Sequence, residues 1–157
     1  MSVRPIPDGY SSVTPYLIVK GAAQAIDYYK MAFDAQELMR FPGPGGTIAH
    51  AEIQIGNARI MLGDESPQMV NKSPATLGGS GIDLMVYVTD VDDTFQRAVS
   101  AGGKVTQPVK DQFYGDRSGT VTDPFGHIWT IATHVEDVAP DELQRRMQDA
   151  MKASPAR

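Results

Sequence analysis

Hydrophobic and polar positions along this chain follow two periods, and the pair of periods occurs twice. Residues 13–19 and 82–88 read as apolar strands, and each runs directly into a segment whose apolar positions recur at helical spacing. In the first segment those positions are Ala22, Ile26, Tyr29 and Phe33; in the second they are Val91, Phe95, Ala98 and Gly102, at a constant offset of 69 residues. Each copy closes on strand pairs with period-two alternation, within 50–64 and 119–134. The pattern predicts an α+β fold of two tandem βαβββ modules, 12–65 and 81–134, forming a curved, barrel-like mixed sheet with one shared concave face. Asp90 is placed to cap the second helix. FPGPGG (41–46) and the Gly- and Pro-rich stretch 66–80 read as loops, the latter as the linker between modules. Residues 1–12 read as an arm. Residues 138–153 predict an added C-terminal helix, with Pro140 in its first turn and acids early.

Alternation sorts the strand residues onto two faces. Val13, Leu17, Val19, Ala51, Ile53, Ile55, Ile60, Leu62, Trp129 and Ile131 fall on the side under the helices. Thr14, Tyr16, His50, Glu52, Arg59, Met61, Asp83, Met85, Tyr87 and Thr130 fall on the other. That second set mixes aromatic, thioether and a few charged groups, the composition of a small-molecule site. His50 and Glu52 share one face of one strand. They can act as a general base with its orienting carboxylate, as ligands of a metal, or as a solvated strand pair. Asp83 sits in an apolar run, where an unpaired charge is costly; Arg59, another buried donor or a ligand cation would satisfy it. Tyr16, Met61, Met85 and Tyr87 can line a pocket for a planar or apolar ligand, or pack as core. Arg117, in the loop-like YGDRSG, can clamp an anionic substrate, lie in a solvent-exposed Asp116–Arg117 turn, or form a salt bridge across a dimer. His127 reads as part of the DPFGH turn and His134 as a contact for the tail.

Bulk properties then remove several function classes. At 157 residues the chain is long enough for one well-buried core and too short for two large domains. A net charge of −5 gives no broad basic face, so no nucleic-acid partner is expected. The longest apolar runs fall far short of a membrane span. With no cysteine there is no disulfide and no thiolate chemistry, and a cytoplasmic location is the expectation.

Four stretches, TPYLIVKGAAQAIDYYKMAF, HAEIQIGNARIMLGDE, YVTDVDDTFQRAVSAGG and YGDRSGTVTDPFGHIWTIATHVEDV, carry a resemblance. The chain resembles the vicinal oxygen chelate superfamily of glyoxalases, bleomycin-resistance proteins and dioxygenases, and within it the PhnB-like branch. The resemblance spans roughly residues 12–138. It implies paired βαβββ modules, usually in a homodimer, with a small molecule bound in the concave cavity. Metal-dependent members take four ligands from strand positions that fall here on Thr14, Met61, Asp83 and Thr130. Only Asp83 suits a hard or borderline divalent ion, so no cofactor is expected at those positions. The resemblance therefore implies a metal-free binding protein, with two enzyme readings beside it. One is a lyase, isomerase or dioxygenase using a divalent metal in a shifted site of His50, Glu52 and Asp83. The other is metal-free acid–base catalysis by His50.

Overall fold

The computed structural model describes residues 3–153. The first module holds β1 (Tyr16–Val19), α1 (Ala22–Phe33), β2 (Gln36–Pro42), β3 (Ile48–Ile55) and β4 (Ala58–Asp64). A short helix, α2 (Pro74–Leu77), follows. The second module holds β5 (Asp83–Tyr87), α3 (Val91–Ser100), β6 (Lys104–Asp111), β7 (Asp116–Thr122) and β8 (Ile128–His134). The chain then continues as α4 (Pro140–Ala153).

Each module forms its own four-stranded mixed sheet, ordered β1-β4-β3-β2 and β5-β8-β7-β6. The pairs β1–β4 and β5–β8 are parallel, and the others are antiparallel. The repeat holds to the level of register: Tyr16 lies opposite Met61, and Met85 opposite Thr130. The sheets curve but, among the described residues, do not join into one barrel-like sheet, because β1 and β5 do not pair with each other. The modules are held together through their helix-side faces instead. Ile26, Tyr29 and Phe33 of α1 share one buried cluster with Val121, Trp129 and Ile131 of the second sheet. The Phe33 and Trp129 ring centroids are 4.8 Å apart.

Carboxylates fasten this arrangement where helices and turns leave backbone N–H groups without partners. Asp64 Oδ1 accepts from the N–H groups of Gly21 and Ala22 at 2.7 and 2.9 Å, so the end of β4 caps α1. Asp90 accepts from the Asp93 N–H at 3.0 Å, as its spacing predicts. Asp123 ties the two modules. Its Oδ2 accepts from the Tyr29 hydroxyl at 2.7 Å and the Trp129 indole at 3.0 Å, and its Oδ1 accepts from the Phe125 and His127 N–H groups. Burial, reinforced by that carboxylate, pushes the Tyr29 hydroxyl pKa well above its ordinary value.

Several local expectations change. The first strand begins at Tyr16, and Val13 is 83% exposed rather than core. Pro15 has no N–H to donate to the ladder, and its carbonyl accepts from the Met61 N–H at 2.9 Å, just before the strand starts. The stretch 66–80 is not all loop, since Ser73 caps α2. Glu65 accepts from the Ser73 hydroxyl at 2.6 Å, the Ser73 N–H at 2.8 Å and the Thr76 hydroxyl at 2.7 Å. Those bonds, the Ser73 hydroxyl first, hold the Glu65 carboxyl down to about 2. Most of YGDRSG is strand β7 rather than loop. α4 buries none of its residues and is moored by Arg146, which reaches Glu136 at 2.7 Å. Among the described residues no helix is long and apolar enough to cross a membrane.

Candidate ligand site on the concave face of the first module

The alternation of β3 sends Ala51, Ile53 and Ile55 into the core and turns His50 and Glu52 to the concave face. Residues directly opposite in a ladder share a face, which brings four more side chains to it. Glu52 lies opposite Met61 of β4 and Met39 of β2, while Phe41 lies opposite His50. Tyr16 of β1 is opposite Met61 on the far side. The result is a carboxylate and an imidazole inside a ring of aromatic and thioether groups.

His50 bridges two partners. Its Nε2 is 3.3 Å from Glu52 Oε1 and its Nδ1 is 2.9 Å from the Tyr16 hydroxyl. An ionised carboxylate only accepts, so Nε2–H donates to Glu52, and in the neutral imidazole Nδ1 then accepts the Tyr16 proton. Both ring nitrogens are therefore engaged, and Tyr16, 43% exposed, is the member of this chain that meets open space. Burial raises the Tyr16 hydroxyl pKa. Phe41 stacks on the imidazole at 6.2 Å and 24°. Glu52 is only 6% exposed although it carries charge. It also accepts from the Tyr10 hydroxyl, and that bond, followed by the one from His50, keeps its carboxyl below the usual carboxylate range. Arg59 holds its guanidinium carbon 4.5 Å from the centroid of the Tyr10 ring.

The remaining candidates lie on the other sheet. Asp83, Met85, Tyr87 and Thr130 share its concave face. Asp83 is paired with Thr130 rather than Arg59: its two oxygens accept from the Thr130 N–H at 3.1 Å and the Thr130 hydroxyl at 2.8 Å. Tyr87 donates to Asp116 at 2.8 Å. Asp116 is buried, not part of an exposed turn, because Tyr87 and His134 both close over it. His134 donates to Asp116 at 2.7 Å and to Asp137 at 3.0 Å, and these two carboxylates raise its pKa. Arg117 points away from the concave face. Its guanidinium is held by Asp92 of α3 at 2.8 Å and by Asp111 at 3.0 Å. His127 donates to the Ile18 carbonyl at 3.1 Å, linking its turn to the first module. Among the described residues, no hydrogen bond or ring contact joins the Tyr16–His50–Glu52 group to the Asp83–Thr130 group. The single wall read from strand alternation is thus two walls on two sheets.

Two clefts lie beside them. One of about 450 Å³ runs between β1 and the 70–82 stretch, lined by Ile18, Val70, Leu77, Ile82 and Leu84. The other, about 590 Å³, lies between the β3–β4 turn and β5, where Met85 and Tyr87 face Asp34 and Arg97. Tyr10, Met39 and Phe41 join the site without a signal in the strand alternation that marks the other members. Phe41 was hidden inside FPGPGG, and Tyr10 reaches the site from an arm with no periodicity to place it.

Comparison with known proteins settles the family. A model of the Glyoxalase/Bleomycin resistance protein/Dioxygenase superfamily matches residues 11–131. The chain belongs to this superfamily. An uncharacterized protein of Mycobacterium tuberculosis is 46% identical over 139 residues, covering 87% of this chain and 82% of that protein. Among solved structures, TioX from Micromonospora sp. ML1 superposes with a TM-score of 0.62 at 26% identity, over 82% of this chain and 100% of that one. The PhnB protein of Bacillus cereus shares the fold, with a TM-score of 0.59 at 19% identity over 78% of this chain and 99% of that one.

The superfamily's metal-dependent members set a test for the four ligand positions, and their donor set here does not fit a hard divalent ion. The Thr14 hydroxyl donates to the Ser11 carbonyl at 3.3 Å. Met61 offers a thioether, a soft donor. Asp83 has both oxygens committed to Thr130, whose own hydroxyl also contacts Thr120 at 3.0 Å. Among the described residues no group of three or more His, Asp or Glu side chains is arranged to hold a metal ion.

Proposed function

We propose that this chain binds a small organic molecule on the concave face of its first module, without the metal site of its metal-dependent relatives. The observation that carries the reading is the Tyr16–His50–Glu52 chain of hydrogen bonds inside an aromatic and thioether ring. A nearly buried charged carboxylate is expensive to keep in a sheet whose other needs are met by packing. Its retention beside half-exposed Tyr16, Met39 and Phe41 fits orientation of a ligand by a few placed polar groups. Arg59 and Met61 complete the wall. Met85 and Tyr87 are apolar groups left exposed on the second sheet, which suits a homodimer in which a second copy covers these faces. Placement in the PhnB-like branch rests on the quoted motifs.

A thermal-shift screen with small aromatic and heteroaromatic compounds tests this. Met61→Trp fills the concave face from a strand position that is not fully buried. Compounds that raise the melting temperature of the wild type should fail to do so in Met61→Trp. Equal shifts in both proteins would remove the ligand from this face.

A second reading, metal-free acid–base catalysis, draws on the same chain, since a proton leaving Tyr16 can pass to His50. His50→Ala then abolishes turnover of any substrate found by the screen, whereas a binding protein keeps measurable affinity.

A further inference from the structure

The part of the first module's concave face over Glu52 is covered by a side chain of the protein itself, and that side chain is chemically a phenol. The Tyr10 hydroxyl donates to Glu52, and its ring lies against the Arg59 guanidinium at 4.5 Å. The Arg59 side chain makes no hydrogen bond among the described residues, and its charge adds to the groups that hold the Glu52 carboxyl low. Its Nε is buried without a hydrogen-bond partner. Arg4, Arg40, Arg97, Arg117, Arg145 and Arg146 all form ion pairs, and among the described residues Arg59 forms none. A planar guanidinium left in this way serves as a stacking plate for a π face. Glu52 stands at the hydroxyl end of that plate as a committed acceptor. Together they form a cradle for a flat ring that bears an O–H.

The arm seats on this cradle by design of its backbone and is otherwise lightly held. Gly9 adopts φ +83°, a left-handed conformation that favours glycine, and it packs against Arg59, where a Cβ would lie 2.6 Å from the end of that side chain. Residues 3–9 are exposed. Their bonds are local, Arg4 to Asp8 at 2.8 Å and the Tyr10 N–H to the Pro7 carbonyl at 3.1 Å. Between residues 3 and 12, Tyr10 is the one that hydrogen-bonds to a strand side chain, among the described residues. Releasing the arm therefore breaks the Tyr10–Glu52 hydrogen bond, the stacking of Tyr10 on Arg59 and the packing of Gly9 against that side chain.

We propose that this site takes a planar hydroxylated arene, a ligand of the phenol class, and that Tyr10 is its internal stand-in, displaced when the ligand binds. The inference rests on the ligand site proposed above and names what that site recognises. The incoming hydroxyl donates to Glu52, its ring replaces that of Tyr10 against Arg59, and Tyr16 and Phe41 flank it. An aryl methyl ether has no proton to donate and leaves the Glu52 carboxylate buried and underpaired, which penalises it. Because Tyr10 competes for the cradle, apparent affinity is reduced by the fraction of molecules with the arm open.

The test is a titration of the full chain with 4-methylphenol and, separately, 4-methylanisole, followed by amide chemical shifts in two-dimensional NMR. Tyr10→Ala should bind 4-methylphenol about tenfold more tightly than the wild type, because the competing side chain is gone. In that variant the ether should bind about tenfold more weakly than the phenol, and Arg59→Leu should lose a similar factor for the phenol. Tyr10→Phe keeps the ring and loses the donated proton. It should fall between Tyr10→Ala and wild type, and it serves if Tyr10→Ala does not give a folded spectrum. Phenol affinity no higher in either Tyr10 variant overturns the stand-in. Equal binding of phenol and ether, with shifts at His50 and Met61, overturns the ligand class while leaving the ligand site intact. No shifts at β3 or β4 with either probe in the Tyr10 variants overturns both.

Discussion

Removing the Asp123 carboxylate probes how the two modules are joined. Asp123→Ala leaves the Tyr29 hydroxyl of the first module and the Trp129 indole of the second without their acceptor, both fully buried. Each buried donor left unpaired costs about 1–3 kcal/mol, giving roughly 2–6 kcal/mol for the two. The Phe125 and His127 N–H groups also lose a partner, but their turn can admit water and adds less. Against a typical domain stability of about 5–15 kcal/mol the loss is large. Asp123→Asn keeps an acceptor and loses the charge, so its cost should be about half, in the proportion by which charge-assisted bonds exceed neutral ones. Guanidinium denaturation followed by fluorescence suits the question, because Trp129 is the sole tryptophan and is 2% exposed. Circular dichroism supplies the second probe. One shared core predicts coincident transitions, a lower midpoint and an unchanged slope in both variants. A loss below about 1 kcal/mol in Asp123→Ala would refute the reasoning on buried donors. A fluorescence transition separating from that of circular dichroism would refute the single cooperative unit.

Glu65→Gln reports on the 66–80 segment through pH. Because the folded carboxyl is depressed from 4.5 to about 2, its contribution is full above 4.5 and is lost as pH falls through that window. The wild-type melting temperature should therefore fall more steeply than that of Glu65→Gln between those limits, and parallel curves would contradict the assigned bonds. Gly119→Ala tests packing between α3 and β7, since the new Cβ would lie 2.7 Å from the Phe95 ring and 2.9 Å from Val109. It should cost roughly 1–3 kcal/mol by denaturation, and an unchanged midpoint would contradict the close approach.

The repeat was legible because burial enforces it. A strand facing helices on one side must alternate, and a helix on that sheet must carry its stripe, so Ile53, Leu62, Trp129 and Ile131 could be placed from pattern alone. The 69-residue offset carried through to the register of Tyr16 with Met61 and of Met85 with Thr130. Face assignment does not say which sheet a face belongs to, so residues from two separate concavities looked like one wall. Val13 misled for a different reason: alternation extends through a segment only while backbone N–H groups are free to pair, and Pro15 ends that. Arg117 was read by loop composition, but the partners that turn it to the helix side, Asp92 and Asp111, are remote in sequence. Tyr10 had no local signal at all. Its position depends on Gly9 passing close to Arg59, a contact that only the folded chain supplies.

The most direct test of the ligand site is a crystal structure of the protein soaked with a phenol-class compound that stabilises it in the thermal screen. Density is expected on the first sheet between Tyr16, Phe41 and Met61, with an oxygen on Glu52 and Tyr10 moved from Arg59. Density confined to the clefts beside β1 or β5, with Tyr10 still on Glu52, would contradict it.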